Sequence, residues 1–231
     1  MSMPKKLLTF SYDDGVTQDI RLVELFNKYG MKATFNLNSE RFGGGGRLTV
    51  DGVSVSHEKV QRADVRAIYE GHEIAGHTLT HPRLVDLTDY AEIVRQVEED
   101  RLKLSELCGY EVVGFAYPGG GRNANEHVRD LIGAHTGAKY GRTIGSSHSF
   151  DPPSELLLFH PTVHHGEWEK LFALGEEFLS MQTEEKKILY VWGHSYEFDA
   201  LDTWGKFEEF LQIMSGRADI GYVTNREALL G

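Results

Sequence analysis

Leu7-Leu8-Thr9-Phe10-Ser11-Tyr12-Asp13-Asp14-Gly15 is the stretch from which the fold can be worked out. Leu7 to Ser11 reads as a strand, and it runs straight into two carboxylates and a glycine. Adjacent aspartates at a strand end form a costly like-charge pair, which a nearby cation relieves. A solvated Asp-Asp-Gly turn is the plainer reading of the same residues. Just downstream, Thr17 can cap a helix carrying Ile20, Val23, Phe26 and Tyr29, stopped by Gly30. Ala33 to Leu37 then reads as a second strand, which makes the opening a strand–helix–strand unit.

The rest of the chain keeps that rhythm. Thr88 can cap a long helix whose residues Tyr90, Ile93, Val94, Val97, Leu104, Leu107 and Cys108 hold helical spacing until Gly109. Strand-like runs follow at 112–117, 139–144, 156–163, 188–192 and 220–223, with helical runs between most of them. Such alternation predicts a parallel sheet with helices outside it, open or closed into a barrel. One segment departs from it. Four glycines (43–46) lead into Leu48-Thr49-Val50, then Asp51-Gly52, then Val53-Ser54-Val55. A two-residue Asp-Gly between β-prone runs predicts a surface hairpin over residues 47–56, either decorative or a flap over substrate.

Length and composition set limits. The 231 residues suit a single domain, and 40% apolar with 26% charged residues describes an ordinary globular chain with enough apolar material for a core. Twenty-four Lys plus Arg against 35 Asp plus Glu gives a net charge of −11, which disfavours nucleic acid or an anionic membrane as partner. A lone cysteine, Cys108, cannot form an internal disulfide, and its place in the long helix predicts a core residue. No run approaches a membrane helix, and only Leu7 to Phe10 follows the basic start Met1-Ser2-Met3-Pro4-Lys5-Lys6, too short for a secretory leader. The expectation is a cytoplasmic protein; oligomeric state is left open.

Two further spots carry chemistry. In Glu73-Ile74-Ala75-Gly76-His77-Thr78-Leu79-Thr80-His81, two histidines four apart meet on a helical face or on a tight turn after a strand. Thr78 occupies the place of the glutamate base in the zinc-protease pattern, so that mechanism is absent. In Tyr190-Val191-Trp192-Gly193-His194-Ser195-Tyr196-Glu197, an apolar strand delivers a histidine at its end. An aspartate and two histidines supply an O,N,N set with open positions, suited to hydrolytic zinc and also to non-haem iron. The spare aspartate can serve as base and the spare histidine as acid. Parallel α/β folds gather such groups at the carboxyl ends of strands.

Four segments together resemble the motifs of the polysaccharide deacetylase family, the NodB homology domain of carbohydrate esterases. Ser11-Tyr12-Asp13-Asp14-Gly15 resembles its T-F-D-D-G, and residues 71–81 resemble G-x-E-I-x-x-H-T-x-x-H. Phe115-Ala116-Tyr117-Pro118-Gly119-Gly120 resembles F-R-x-P-x-G, and Val191-Trp192-Gly193-His194-Ser195 resembles a strand ending in L-x-H. The resemblance implies one catalytic domain over residues 1–231, a distorted (β/α)7-type barrel, and metal-dependent removal of acetyl groups from N-acetylated or, as the alternative, O-acetylated sugars. By position it implies Asp14, His77 and His81 as metal ligands, Asp13 as base and His194 as acid. Zinc suits that set best, with cobalt, nickel or iron tolerated. The oxyanion-binding N–H would lie near Tyr117 or Gly119, and Tyr117, Pro118, Gly119 and Trp192 would face substrate, with Leu79 beside the acetyl methyl; His164, at a strand end outside the quoted motifs, either faces substrate, orients another group or lies at the surface.

The pattern departs in two places. Ala116 stands where many members carry an arginine that orients the base; Arg142 is the first substitute and Arg122 the second. The Asp-rich motif that supports the catalytic histidine is not recognisable, and Asp199 or Asp202 is expected to hydrogen-bond His194 instead. Some relatives hydrolyse cyclic imides or other non-sugar amides, which the same metal set would serve. A non-haem iron oxygenase needs no second aspartate beside its ligand, and a non-catalytic binding module would have lost Asp13 or His194.

Overall fold

Strand β1 (Lys6–Asp13) is buried along its whole length, so its two faces line two different interiors. Alternation sends Leu8, Phe10 and Tyr12 into one cluster with Phe26, Phe35, Phe198 and Phe207. Phe10 lies 4.7 Å from Phe26 and meets Phe207 edge-on at 6.1 Å. The opposite face carries Leu7, Thr9, Ser11 and Asp13. Leu7 packs in a separate cluster with Ile188, Tyr190 and Val223, while Thr9 accepts from Asn225 and Ser11 from Arg142.

The computed structural model describes residues 4–231; Met1 to Met3, which open the basic N-terminal run, lie outside the described residues. After β1 come α1 (Asp19–Lys28), β2 (Thr34–Leu37), the hairpin strands β3 (Arg47–Val50) and β4 (Val53–Ser56), the short α2 (Val65–Ile68), β5 (Glu73–Gly76), α3 (Tyr90–Cys108) and β6 (Gly114–Ala116). There follow α4 (Glu126–His135), β7 (Tyr140–Arg142), β8 (Val163–His164), α5 (Trp168–Ser180), β9 (Lys187–Gly193), α6 (Tyr196–Leu201), α7 (Trp204–Met214), β10 (Ile220–Tyr222) and α8 (Asn225–Leu230). Eight strands form one sheet in the order β7-β6-β5-β2-β1-β9-β8, with β10 paired to the start of β1. Every pairing in it is parallel. This is the curled parallel sheet with outer helices that the alternation predicts, a distorted (β/α) barrel. No helix among the described residues is long and apolar enough to cross a membrane.

Several local expectations need adjustment. The run 156–163 forms a strand only at Val163–His164. Its earlier part is irregular, yet it bonds to β7 through Gly141 N–H to Leu156 O (2.7 Å) and Thr143 N–H to Phe159 O (2.9 Å). That segment therefore bridges the two sheet edges and draws the curl towards closure. Thr17 does not cap α1, which begins two residues later, and Ile20 is exposed because Leu22, Val23 and Phe26 form the buried face. Asp89 rather than Thr88 caps α3, its carboxylate accepting from Ala91 N–H. Gly109 ends α3 in the left-handed conformation, φ 77°, and Cys108 is buried there. His77 and His81 lie on an irregular turn after β5, not on a helix.

Candidate metal and catalytic site

Five of the parallel strands end in the side chains that the sequence singles out. Asp13 ends β1 and Asp14 follows it; His77 follows β5, Tyr117 follows β6, Arg142 ends β7 and His194 follows β9. Asp13, Asp14, His77, His81, Tyr117, Gly119, Gly120, Ile144, Trp192, His194 and Tyr196 line one cavity of about 250 Å³ at that end of the barrel.

The two aspartates are adjacent in sequence but face different partners. Asp13 continues the strand and is buried. Its Oδ1 accepts from the Arg142 guanidinium and from Asn36 Nδ2 at 2.8 Å. Its Oδ2 has no donor among the described residues and faces His194 Nε2 at 4.0 Å. Burial alone would raise the Asp13 carboxyl, but the charge of Arg142, then those of His77 and His194, hold it below its ordinary value. Arg142 is fully buried, donates to Ser11 Oγ at 3.2 Å as well, and lies 4.7 Å over the Trp192 ring. Arg122 is exposed and does not line this cavity; it lies on a neighbouring cleft of about 830 Å³ that shares Ile144 with it.

Asp14 leaves the strand in a left-handed conformation, φ 83°, unusual for a residue with a side chain. Its Oδ1 lies 3.6 Å from His81 Nε2. His81 and Thr78 also have positive φ, 68° and 66°, so the turn that presents both histidines is tightly bent. His77 is held from behind. Its N–H donates to Leu37 O and to the buried Asp100 carboxylate, and its ring Nδ1 sits 2.9 Å from Ala116 O. A backbone carbonyl can only accept, so Nδ1 carries the proton and Nε2 presents a lone pair. Burial, reinforced by the charge of His77, pushes the His81 imidazole down to about 4 and keeps it neutral. One carboxylate oxygen and two imidazole nitrogens from Asp14, His77 and His81 thus lie within 4.8 Å of one another. Two neutral imidazoles with one ionised carboxylate fit a divalent transition metal. Two residues absent from the sequence reading also touch Asp14: His57 Nε2 at 3.2 Å from Oδ2, and Lys59 Nζ at 3.2 Å from Oδ1.

His194 takes its partner from Glu197, not from Asp199 or Asp202. Asp199 accepts from Trp204 Nε1, and Asp202 ends α6. Glu197 Oε1 lies 3.4 Å from His194 Nδ1, while Oε2 accepts from the His194 backbone N–H at 3.2 Å. The same Oε2 lies 3.2 Å from His164 Nε2 and 2.9 Å from His165 Nε2. His164, expected against substrate, does not line the cavity because this carboxylate holds its ring. The Gly166 N–H donates to His164 Nδ1 at 3.1 Å, which leaves Nε2 as the ring nitrogen that faces Glu197 at 3.2 Å. One donor atom each from His164, His165 and Glu197 lies within 4.8 Å of the others, a second grouping that could hold a metal ion. Burial would lower the His194 pKa, but the charge and contact of Glu197, then Asp13 and Asp14, raise it to about 9.

The remaining expectations divide. Trp192 and Gly119 line the cavity, while Pro118 and Leu79 do not. Tyr117 lines it but is fully buried, with its hydroxyl donating to Leu157 O. Its N–H is spent on Arg142 O at 2.9 Å, which is strand pairing between β6 and β7. The Gly119 N–H has no such acceptor among the described residues. Breaking the buried Arg142–Asp13 pair leaves an uncompensated charge. Arg142→Leu should therefore lower unfolding free energy by about 3–5 kcal/mol in denaturant titrations; a loss below about 1 kcal/mol would show that the pair is not what neutralises Asp13.

The family model for polysaccharide deacetylases matches residues 1–136, which carry Asp13, Asp14, His77 and His81. Solved structures share the fold beyond that region. The chitin deacetylase of the fungal pathogen Colletotrichum lindemuthianum is 19% identical over 99% of this chain and 88% of that one, with a TM-score of 0.59. A family 4 carbohydrate esterase from Streptomyces lividans, in complex with acetate, is 15% identical over 94% and 92%, with a TM-score of 0.58. For the deacetylase PplD of Streptococcus pyogenes, in complex with acetate, identity is 17% over 65% of this chain and 61% of that chain, with a TM-score of 0.53. Curated protein sequences yield no match. With its family match spanning more than half of its length and including the paired aspartates and both turn histidines, this chain belongs to the polysaccharide deacetylase family.

Proposed function

We propose that this chain is a metal-dependent hydrolase that removes acetyl groups from N-acetylated sugars or oligosaccharides, with O-acetylated sugars the alternative substrate. The observation that carries the reading is the divided environment of Asp13 and Asp14: one carboxylate keeps a free oxygen towards a histidine acid, the other faces two neutral imidazoles. Asp14, His77 and His81 would hold the divalent ion, with zinc the best match to the donors. When bound, such an ion supplies Lewis acidity and lowers the pKa of a coordinated water.

The chain's own residues supply the rest. Asp13 Oδ2 is the base: its partner oxygen is tied to Arg142 and Asn36, so the free lone pairs point into the cavity. The Gly119 N–H is the donor placed to receive the tetrahedral oxyanion. His194 Nε2 gives its proton to the leaving nitrogen, without which an amine departs too poorly to be useful. Glu197, whose Oε1 lies 3.4 Å from Nδ1, keeps that imidazole protonated through neutral pH. Trp192, Ile144 and Tyr196 give the cavity an apolar wall for the acetyl methyl, and the adjoining cleft of about 830 Å³ has room for the sugar that carries it.

Two measurements test this reading. Protein stripped by chelator and given back zinc, cobalt or nickel should release acetate from N-acetylglucosamine oligomers. No acetate, with turnover of cyclic imides or simple amides instead, would overturn the sugar assignment and leave the metal chemistry standing. The second is a pH profile. A general acid whose pKa is raised stays competent up to that value and fails above it, so kcat/KM should fall as pH rises through about 9. Glu197→Gln removes the main raising charge and should move that alkaline limb towards 6.5, the imidazole's ordinary value. An unmoved limb would show that Glu197 does not set the protonation of His194.

A further inference from the structure

We propose that the β3–β4 hairpin is a working part of the site: through Lys59 and His57 it clamps the Asp14 carboxylate in the orientation that receives a divalent ion. The inference rests on the reading of Asp14 as a metal ligand and extends it to residues 43 and 45 positions downstream.

The returning limb of the hairpin is pinned from both sides. Thr17 N–H donates to Glu58 O and Val60 N–H to Gly15 O, which ties the limb to the turn that follows Asp14. His57 N–H donates to Gly46 O and Lys59 N–H to Gly44 O, which ties it to the glycine run before β3. Within the glycine run, a Cβ at Gly44 would sit 3.0 Å from Arg41 O, and one at Gly45 would meet the exposed Glu58 carboxylate.

From this fixed backbone two side chains converge on Asp14. Lys59 is 5% exposed, an arrangement that strongly penalises an ammonium unless it is paired. A decorative hairpin would let that lysine extend into water. Instead its Nζ donates to Asp14 O at 2.7 Å and lies 3.2 Å from Asp14 Oδ1. One cation therefore holds both the main chain and the side chain of a residue in a strained left-handed conformation. His57 Nε2 meets the other oxygen, Oδ2, at 3.2 Å, with its ring edge-on to Tyr196 at 5.1 Å. The same nitrogen lies 3.4 Å from Lys59 Nζ, so His57, Lys59 and Asp14 form one contact group. Each oxygen of Asp14 has a nitrogen of the hairpin limb at 3.2 Å, which restrains the carboxylate from turning. Oδ1 stays the oxygen nearest His81. Lys59 and His57 are positioning residues, since they act through Asp14. Removing a partner that orients a metal ligand typically costs 10–100-fold in metal affinity.

The test is the zinc dissociation constant of the full chain, read by competition with a fluorescent chelator. Lys59→Met should weaken binding 10–100-fold, and Lys59→Arg should recover part of the loss. His57→Phe keeps a ring against Tyr196 but removes the nitrogen, and should weaken binding in the same direction. His57 is less buried than Lys59, so this variant keeps the test decisive if Lys59→Met does not fold. Val53→Ser, at the exposed end of the hairpin, should leave affinity unchanged. Wild-type or tighter affinity in folded Lys59→Met and His57→Phe would overturn the clamp. His77→Ala separates the two levels: if zinc binding survives that change, the ligand reading itself falls; if binding is lost there but untouched at Lys59 and His57, only the clamp falls.

Discussion

Two carboxylates side by side at the end of a buried strand repel each other, and the architecture around them is organised to relieve that repulsion without letting them act alike. Strand alternation points Asp13 into the barrel, where Arg142 and Asn36 meet it. The left-handed turn at Asp14 swings the second carboxylate to the opposite side, where Lys59, His57 and His81 meet it. Both carboxyls are held below their ordinary range against the opposing effect of burial. The chain as a whole carries −11, yet it buries an arginine and a lysine at this one place. Buried cations are costly unless paired, so their position marks where the negative charge must be kept.

The second organising group is Glu197. It follows β9 by one turn of α6 and gathers His164, His165 and His194 around one carboxylate. His165 is in turn fixed by Tyr12, whose ring belongs to the aromatic core beneath β1. A Cβ at Gly193 would fall 2.2 Å from His165 Nδ1, so the strand delivering His194 must be bare at that point. The His194 side of the cavity is thereby tied through packing to the strand that carries Asp13.

Much of this was legible in the sequence because it is written locally. Leu7 to Ser11 announces β1, Asp51-Gly52 announces the hairpin turn, and helical spacing up to Gly109 announces α3. The paired aspartates, His77, His81 and His194 stand out because strands or turns deliver them together at one sheet end. Arg142 could be singled out as an arginine at a strand end once Ala116 lacked one. The remainder depends on contacts between distant segments. Nothing near Lys59 says that its ammonium turns inward to a residue 45 positions earlier. Glu197 was visible but passed over for Asp199 and Asp202, because only the first turn of α6 shows which acid faces the imidazole. The run 156–163 has strand-like residues, but its register on β7 and β9 changes midway and leaves only two residues in regular pairing.

The division of labour between the two aspartates is the central claim, and paired metal-content and turnover measurements on Asp13→Asn and Asp14→Asn test it most directly. The account predicts that Asp13→Asn keeps its metal and loses turnover by about 10²–10⁴-fold, the usual contribution of a general base. It predicts that Asp14→Asn loses metal and activity together. Metal loss in Asp13→Asn, or turnover near the wild-type rate in that variant, would contradict the assignment of base and ligand.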